Sequence, residues 1–228
     1  MSELSCREFF CSWSGGKDSC LALYRAVRRG GAPRRLLTML TEDGLRSRSH
    51  GLPPAVITAQ AVALNLPLVT GQAGWDDYEA VFLARLAELR AAGLADGVFG
   101  DIDLAPHRQW VERVCGQHAI TAHLPLWQEP RRDLLAEFIG AGFSATIVAV
   151  SDARLPTSFL GRELDWPTVA ALEAAGVDAC GEEGEFHTVV TGGPLFSAPL
   201  VLRHGQVVGH SGYSFLEVVL AAESGGEG

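Results

Sequence analysis

Six consecutive residues, Ser14-Gly15-Gly16-Lys17-Asp18-Ser19, bring together two glycines, two hydroxyls, a cation and a carboxylate. That set suits a phosphate chain. Glycine lets the backbone come close, free N–H groups and hydroxyls donate to oxygen, and a lysine neutralises charge. Lys17 is the one lysine among 18 basic residues, the other 17 being arginines, so the sequence singles it out as a mobile cation for a polyanion. A second constellation lies far downstream. Glu182, Glu185 and His187 fall within six residues, bracketed by Gly181 and Gly184 and followed by Thr188. Acidic groups on such a loop suit recognition of a cationic partner or proton transfer.

The elements that must position these residues follow from periodicity. Glu8–Trp13 is aromatic and apolar enough for a buried strand, and Cys20–Gly30 carries apolar residues at helical spacing. The hexapeptide therefore sits between a strand and a helix N-terminus, where the dipole favours an anion. Strands are expected at 35–41, 66–70, 97–99, 119–123 and 143–150, with helices at 55–64, 76–92, 107–117 and 132–141. This alternation implies an α/β fold, a doubly wound, mostly parallel sheet with helices on both faces. Such sheets bind ligands at the carboxyl ends of their strands. Thr41 and Gly100 fall there and are read as cofactor-binding, and Asp101, with Asp18, as a metal-ligand candidate. Beyond residue 152 the texture changes. One helix (166–175) and a hairpin (198–203 with 206–209, turning at His204-Gly205) predict a smaller α+β lobe, so the chain divides as 1–151 and 152–228. The tail 223–228 reads as disordered.

Composition excludes several classes. Residues 1–50 hold nine basic and five acidic groups, net +4, whereas 51–228 hold nine against twenty-two, net −13. A basic first third suits a small polyanion, and the acidic remainder argues against nucleic acid. No apolar run approaches roughly 18 residues and the first residues lack a signal-peptide core, so no membrane partner and a cytoplasmic location are expected. Five scattered cysteines without a C-x-x-C pair point to neither zinc nor disulfides.

The hexapeptide does not fit G-x-x-x-x-G-K-[ST] or G-x-G-x-x-G. It resembles the PP-loop of the N-type ATP pyrophosphatases, adenine nucleotide alpha hydrolases that cleave ATP between the α and β phosphates. Arg48-Ser49-His50-Gly51, Gln60-Ala61, Leu66-Pro67-Leu68, Gly100-Asp101-Ile102, Pro125-Leu126-Trp127, Gly161-Arg162-Glu163-Leu164, Cys180–Thr188 and Gly193-Pro194-Leu195-Phe196 then follow in order. That succession is similar to the diphthine–ammonia ligase (diphthamide synthase) family over roughly residues 8–200. The resemblance implies a HUP-type, Rossmann-like nucleotide domain and a smaller C-terminal domain. It also implies an ATP-dependent, AMP-forming amide ligase working through an acyl adenylate, with Mg²⁺ and ATP as cofactors. Ser14, Gly15, Gly16, Lys17, Asp18 and Ser19 would hold nucleotide; Lys17, Asp18, Glu182, Glu185 and His187 would act in catalysis. His50, Gly181, Glu182, Gly184, Glu185 and Thr188 would face substrate, while Gln60 otherwise reads as helix surface. Trp13 and Phe99 are expected to pack in the sheet, and the five remaining histidines to be structural or superficial. Expected partners are ATP/AMP, ammonia and a carboxylate acceptor: diphthine on elongation factor 2 in an archaeal or eukaryotic chain, an unknown acceptor in a bacterial one, which the Ser12-Trp13 and Arg48–Gly51 segments resemble. A homodimer is left open. The runner-up reading is a HUP-type ATP/AMP sensor or hydrolase.

Overall fold

A computed structural model describes residues 4–221; the tail expected to be disordered lies outside them. The first half alternates strictly: β1 (Glu8–Ser12), α1 (Lys17–Arg28), β2 (Ala32–Leu40), α2 (Pro54–Ala63), β3 (Leu68–Gln72), α3 (Tyr78–Ala91), β4 (Asp96–Val98), α4 (Ala105–Gly116), β5 (Thr121–His123) and α5 (Arg131–Gly140). The five strands are all parallel, in the order β3-β2-β1-β4-β5. Winding reverses between β1 and β4, and a crevice opens there at the carboxyl ends. This is the Rossmann-like α/β architecture that the alternation predicted. Among the described residues no helix is long and apolar enough to cross a membrane.

The second half departs from expectation in three places. The strand expected at 143–150 forms as β6 (Ser144–Ser151), but it pairs antiparallel in a separate sheet with β7 (Phe186–Gly192) and β9 (Tyr213–Leu220). Its β-branched composition announces a strand without saying which sheet it joins. His204-Gly205 is no turn. One continuous strand, β8 (Leu202–His210), passes through it with a bulge, and the hairpin to β9 turns at Ser211-Gly212, both at positive φ. Finally, the stretch read as loop up to Thr188 becomes strand from Phe186 onward. The second sheet runs β7-β6-β9-β8, flanked by α6 (Trp166–Ala174).

α1 touches β1 and β2 on one side and β7 on the other, and α2 reaches β9. One apolar cluster, including Leu23, Ile57, Phe138, Ile147 and Phe186, fills the space between the sheets. A second, including Phe10, Phe82, Leu86, Phe99 and Val114, seals α3 and α4 against the other face. Burial of that many large side chains, at about 1.5–3 kcal/mol each, is what presses the two sheets together across α1.

Candidate active site

The chain between β1 and α1 is a backbone cradle. Gly15 sits at φ +85°, where a Cβ would also lie 2.7 Å from Leu52 Cδ1 and 2.8 Å from Gln60 Oε1. A Cβ on Gly16 would lie 2.1 Å from His50 Cε1. Gly16 is the N-cap of α1 and brings no side chain of its own. The cap comes from the other sheet instead: Thr188 Oγ1 accepts from the Lys17 N–H at 3.1 Å. Alongside it, the Val190 N–H donates to Gly15 O at 2.9 Å.

Gln60 completes this lock. Fully buried, it donates from Nε2 to Gly15 O (2.9 Å) and Val190 O (2.7 Å), and accepts from Trp13 Nε1 (2.9 Å). The reading of Gln60 as helix surface is therefore corrected. The signal was present: a lone amide among Val56, Ile57 and Ala61 sits on an apolar helix, where a buried polar group needs partners. Trp13 and Phe99 pack as expected, 1% and 2% exposed.

His50 lies over Gly16 with Nδ1 2.7 Å from Thr188 O. A carbonyl only accepts, so Nδ1 carries the hydrogen and Nε2 keeps its lone pair. The His187 ring lies against it, 4.8 Å between centroids and tilted by 35°. Burial pushes both imidazoles down, His50 to about 4 and His187 to about 3, the latter helped by His50 and Lys17. Both rings are neutral near pH 7.

Inside the loop, Ser14 Oγ and Ser19 Oγ are 3.1 Å apart, the Gly16 N–H donates to Ser14 Oγ (3.3 Å), and Ser19 Oγ donates to Gly16 O (3.1 Å). Gly100, after β4, lies on the first turn of α1; a Cβ there would come within 2.8 Å of the Asp18 carbonyl carbon and the Ser19 nitrogen. Ser14, Ser19, His50, His187 and Gly100 line one cleft of about 500 Å³. Asp18, Asp101 and the Gly181–Gly184 loop line it with them. His107, read as superficial, stands at its rim, Nδ1 3.6 Å from Asp101 Oδ1, and that carboxylate raises its pKa.

Glu182 faces the cleft. Burial, then the nearby Asp18 charge, pushes its pKa up to about 7. Its loop is anchored by Arg131, which bridges Asp103 (2.8 Å) and Asp178 (2.9 Å), while Asp178 accepts from the Glu182 N–H at 3.2 Å. Arg131 went unnoticed in the sequence. An arginine opening a helix opposes the macrodipole, a hint that carboxylates elsewhere hold it.

Gly15, Gly16, Lys17, Thr41, Glu185 and Thr188 do not line the cleft; Thr188, 2% exposed, was expected to face substrate but gives its hydroxyl to the α1 cap instead. Lys17 is buried under the loop at 6% exposure, Nζ 2.7 Å from Asp18 Oδ2 and 5.7 Å over the Phe186 ring, so it is not the mobile cation expected. Burial draws its pKa down, but Asp18, Cys180 and Glu182 outweigh this and the net shift is upward. Glu185, 1% exposed, accepts from the Asp178 and Glu183 N–H groups and faces Arg154 at 3.5 Å. It braces the loop from beneath, where its full burial leaves no acceptor within reach. The Thr41 hydroxyl is spent on its own turn, with Asp43 Oδ1 at 2.6 Å and the Arg46 N–H at 3.2 Å.

Among the described residues no three His, Cys, Asp or Glu side chains are arranged to hold a metal ion. Asp18 and Asp101 nevertheless line the same cleft as the loop hydroxyls. That pair fits Mg²⁺, an ion that keeps phosphate and water as most of its ligands and uses one or two carboxylates.

Residues 9–122 match the family model of the diphthamide synthase N-terminal domain, and residues 130–222 that of its C-terminal domain. The chain belongs to the diphthamide synthase family. It is similar to the diphthine–ammonia ligase of Bos taurus, 30% identical over 235 residues, covering 90% of this chain and 86% of that one. The Homo sapiens protein of that name is 29% identical with the same coverage. The Schizosaccharomyces pombe protein, 29% identical, is much longer, and the match spans 36% of it. A solved structure from Methanocaldococcus jannaschii, titled as a predicted subunit of tRNA methyltransferase, covers 83% of this chain and 98% of its own at 17% identity and a TM-score of 0.45. At that level of likeness it carries no functional weight. At the level of the family, the fold is that of an ATP-dependent carbon–nitrogen ligase.

Proposed function

We propose that the chain makes an amide from a carboxylate and ammonia, releasing AMP and pyrophosphate. One observation carries this reading: Ser14, Asp18 and Ser19 of the phosphate loop line a single cleft together with Gly181–Gly184 and His187. An activated carboxylate and its nucleophile can therefore meet at the α-phosphate. The Gly15 and Gly16 backbone, Ser14 and Ser19 would hold the β,γ-phosphates, with the N-terminus of α1 stabilising charge on the departing pyrophosphate. Mg²⁺ held by Asp18 and Asp101 would neutralise phosphate charge there. A carboxylate oxygen of the acceptor attacks the α-phosphorus as the bond to the β-phosphate oxygen breaks. The nitrogen lone pair then attacks the acyl carbon, and the carbon–oxygen bond to AMP breaks with its electrons leaving on AMP. Glu182 takes the proton that ammonium must lose, and His50 Nε2 accepts a hydrogen bond from the nucleophile or acceptor. Glu185 and Thr188 act on the loop and on α1, and Lys17 supports the loop from below. The acceptor is diphthine of elongation factor 2 in an archaeal or eukaryotic setting and another carboxylate in a bacterial one.

The test is product analysis with Mg-ATP, ammonium and candidate carboxylates: AMP and pyrophosphate should appear only with an acceptor. ADP and phosphate would overturn the reading. The burial of Lys17 away from the cleft favours a second reading, a nucleotide-binding protein without turnover. Tight ATP binding with no product across a broad acceptor set would select it.

Glu182 gives a pH prediction. As base it must be ionised, so acceptor-dependent pyrophosphate release should climb through about pH 7, and Glu182→Gln should abolish that limb. Stability runs the opposite way. The folded carboxyl binds its proton more tightly than the unfolded one, so it favours folding at low pH and loses that contribution as pH rises toward about 7. Glu182→Gln should therefore raise the melting temperature at pH 8 and leave it little changed at pH 4. An equal shift at both would contradict this assignment.

A further inference from the structure

The Gly181–Gly184 turn, which carries Glu182 into the cleft, is held at both ends. Its leading end rests on Asp178: the Gly181 N–H donates to Asp178 O (2.9 Å) and the Glu182 N–H to Asp178 Oδ2 (3.2 Å). Its trailing end rests on Tyr213, whose Oη donates to Gly184 O at 2.8 Å from 29 residues downstream. The Gly184 N–H closes the turn on Gly181 O (3.1 Å), so whatever fixes Gly184 fixes the residues between. Both glycines stand at positive φ, +68° and +81°, and a Cβ on Gly184 would come within 2.9 Å of Tyr213 Oη. A turn bounded by glycines has little stiffness of its own and takes its shape from its tethers. Tyr213 is firmly placed to serve as one. It opens β9 after the Ser211-Gly212 turn and pairs with Ser151 of β6 and His210 of β8, while the Asp152 N–H donates to Gly212 O (3.0 Å). Its ring lies 6.0 Å from that of His187, 22° from parallel, and 6.0 Å from that of Phe215. Phe215 in turn covers Gly51, where a Cβ would lie 2.9 Å from its Cδ1. The strand that carries Tyr213 therefore backs the His187 ring directly and the His50-Gly51 segment through Phe215. Tyr213 does not line the cleft, yet it touches residues that do.

We propose that Tyr213 is a positioning residue: its hydroxyl on the Gly184 carbonyl and its ring against His187 set where Glu182 and His187 stand in the cleft. The inference deepens the ligase reading and rests on it. A phenol combines reach, a flat packing face and a terminal donor, so it can span from sheet to turn while its ring stays packed. The carbonyl it holds is close in the chain to Glu182, and a misplacement of about 1 Å there passes to the carboxylate that takes the ammonium proton. The phosphate cradle is held independently, by Thr188, Val190 and Gln60. Loss of the Tyr213 hydroxyl therefore acts on the chemical step and not on nucleotide binding.

Tyr213→Phe tests this, because it keeps the ring and removes only the hydroxyl. The whole chain carrying it should bind Mg-ATP within about twofold of the parent by calorimetry. Backbone amide exchange at residues 181–184 should quicken about tenfold, and exchange in β6 and β9 should stay as in the parent. With Mg-ATP, ammonium and elongation factor 2 carrying diphthine, kcat for AMP release should fall about tenfold and the KM for ATP should not move. Added to Glu182→Gln, the same change should cost less than about twofold more, since the carboxylate it positions is gone. A kcat within twofold of the parent overturns the proposal whatever the exchange shows. Weakened ATP binding with faster exchange throughout β6 and β9 would make Tyr213 a residue of the fold alone and overturn it too, as would a full tenfold loss on the Glu182→Gln background. No AMP from the parent chain would instead sink the ligase reading on this acceptor, and the exchange at 181–184 would still decide whether Tyr213 sets the turn.

Discussion

Gly16→Ala is expected to abolish productive nucleotide binding. The new methyl would sit 2.1 Å from His50 Cε1, 2.8 Å from His50 Nδ1 and 3.1 Å from the Thr188 carbonyl oxygen, so it meets both a ring and a strand backbone. His50 cannot swing aside cheaply, because its Nδ1 hydrogen is committed to Thr188 O. Relief must come from moving β7 off the cradle, which withdraws the Thr188 cap from α1. Displacements of that size cost on the order of 10²-fold in ligand affinity or turnover. Overpacking adds about 1–3 kcal/mol of destabilisation. Titration with Mg-ATP and thermal melting check both figures. Pairing the change with His50→Ala removes the obstructing ring and should recover part of the binding. An affinity within twofold of the parent in the single variant would mean that β7 does not set the loop.

Gln60→Leu carries the second large effect, on stability. Leucine matches the volume but strands three buried partners: the Trp13 indole N–H, one donor's worth of Gly15 O, and Val190 O. Each unmade bond of this kind costs about 1–3 kcal/mol, the indole donor most because it has no alternative. A total of roughly 3–5 kcal/mol is expected, a large share of the 5–15 kcal/mol that holds a domain folded. Urea unfolding followed by far-UV circular dichroism measures it. A loss below about 1 kcal/mol would show that water or repacking satisfies the three groups.

The two predictions mark where reading the sequence succeeds and where it stops. The cradle was legible because everything it needs is local: a strand, two glycines and a helix start within twenty residues. The Rossmann-like order was legible for the same reason, since each βα unit announces itself. The cap was not. Thr188 reaches Lys17 across 171 positions, and no periodicity encodes such a pairing. Glu182 and Glu185 make the same point at short range. Three residues apart, they look equivalent in sequence; the loop turns one into the cleft and the other onto its own backbone N–H groups. Lys17 misled because a lone lysine beside two glycines suggests reach, whereas the first residue of α1 is covered by β7. The hairpin misled because His204-Gly205 has the composition of a turn and the geometry of a bulge.

The borrowed cap has a kinetic consequence. Parallel pairing within the first sheet closes over modest sequence distances, but the lid on α1 waits for β7, and closure of so long a loop is the step with most entropy to overcome. During synthesis, residues up to α5 can collapse around their own strands while the cradle still lacks Thr188 and Val190. A nascent chain is therefore blind to nucleotide until its last third has emerged, and from that moment each bound nucleotide holds the two sheets together by mass action.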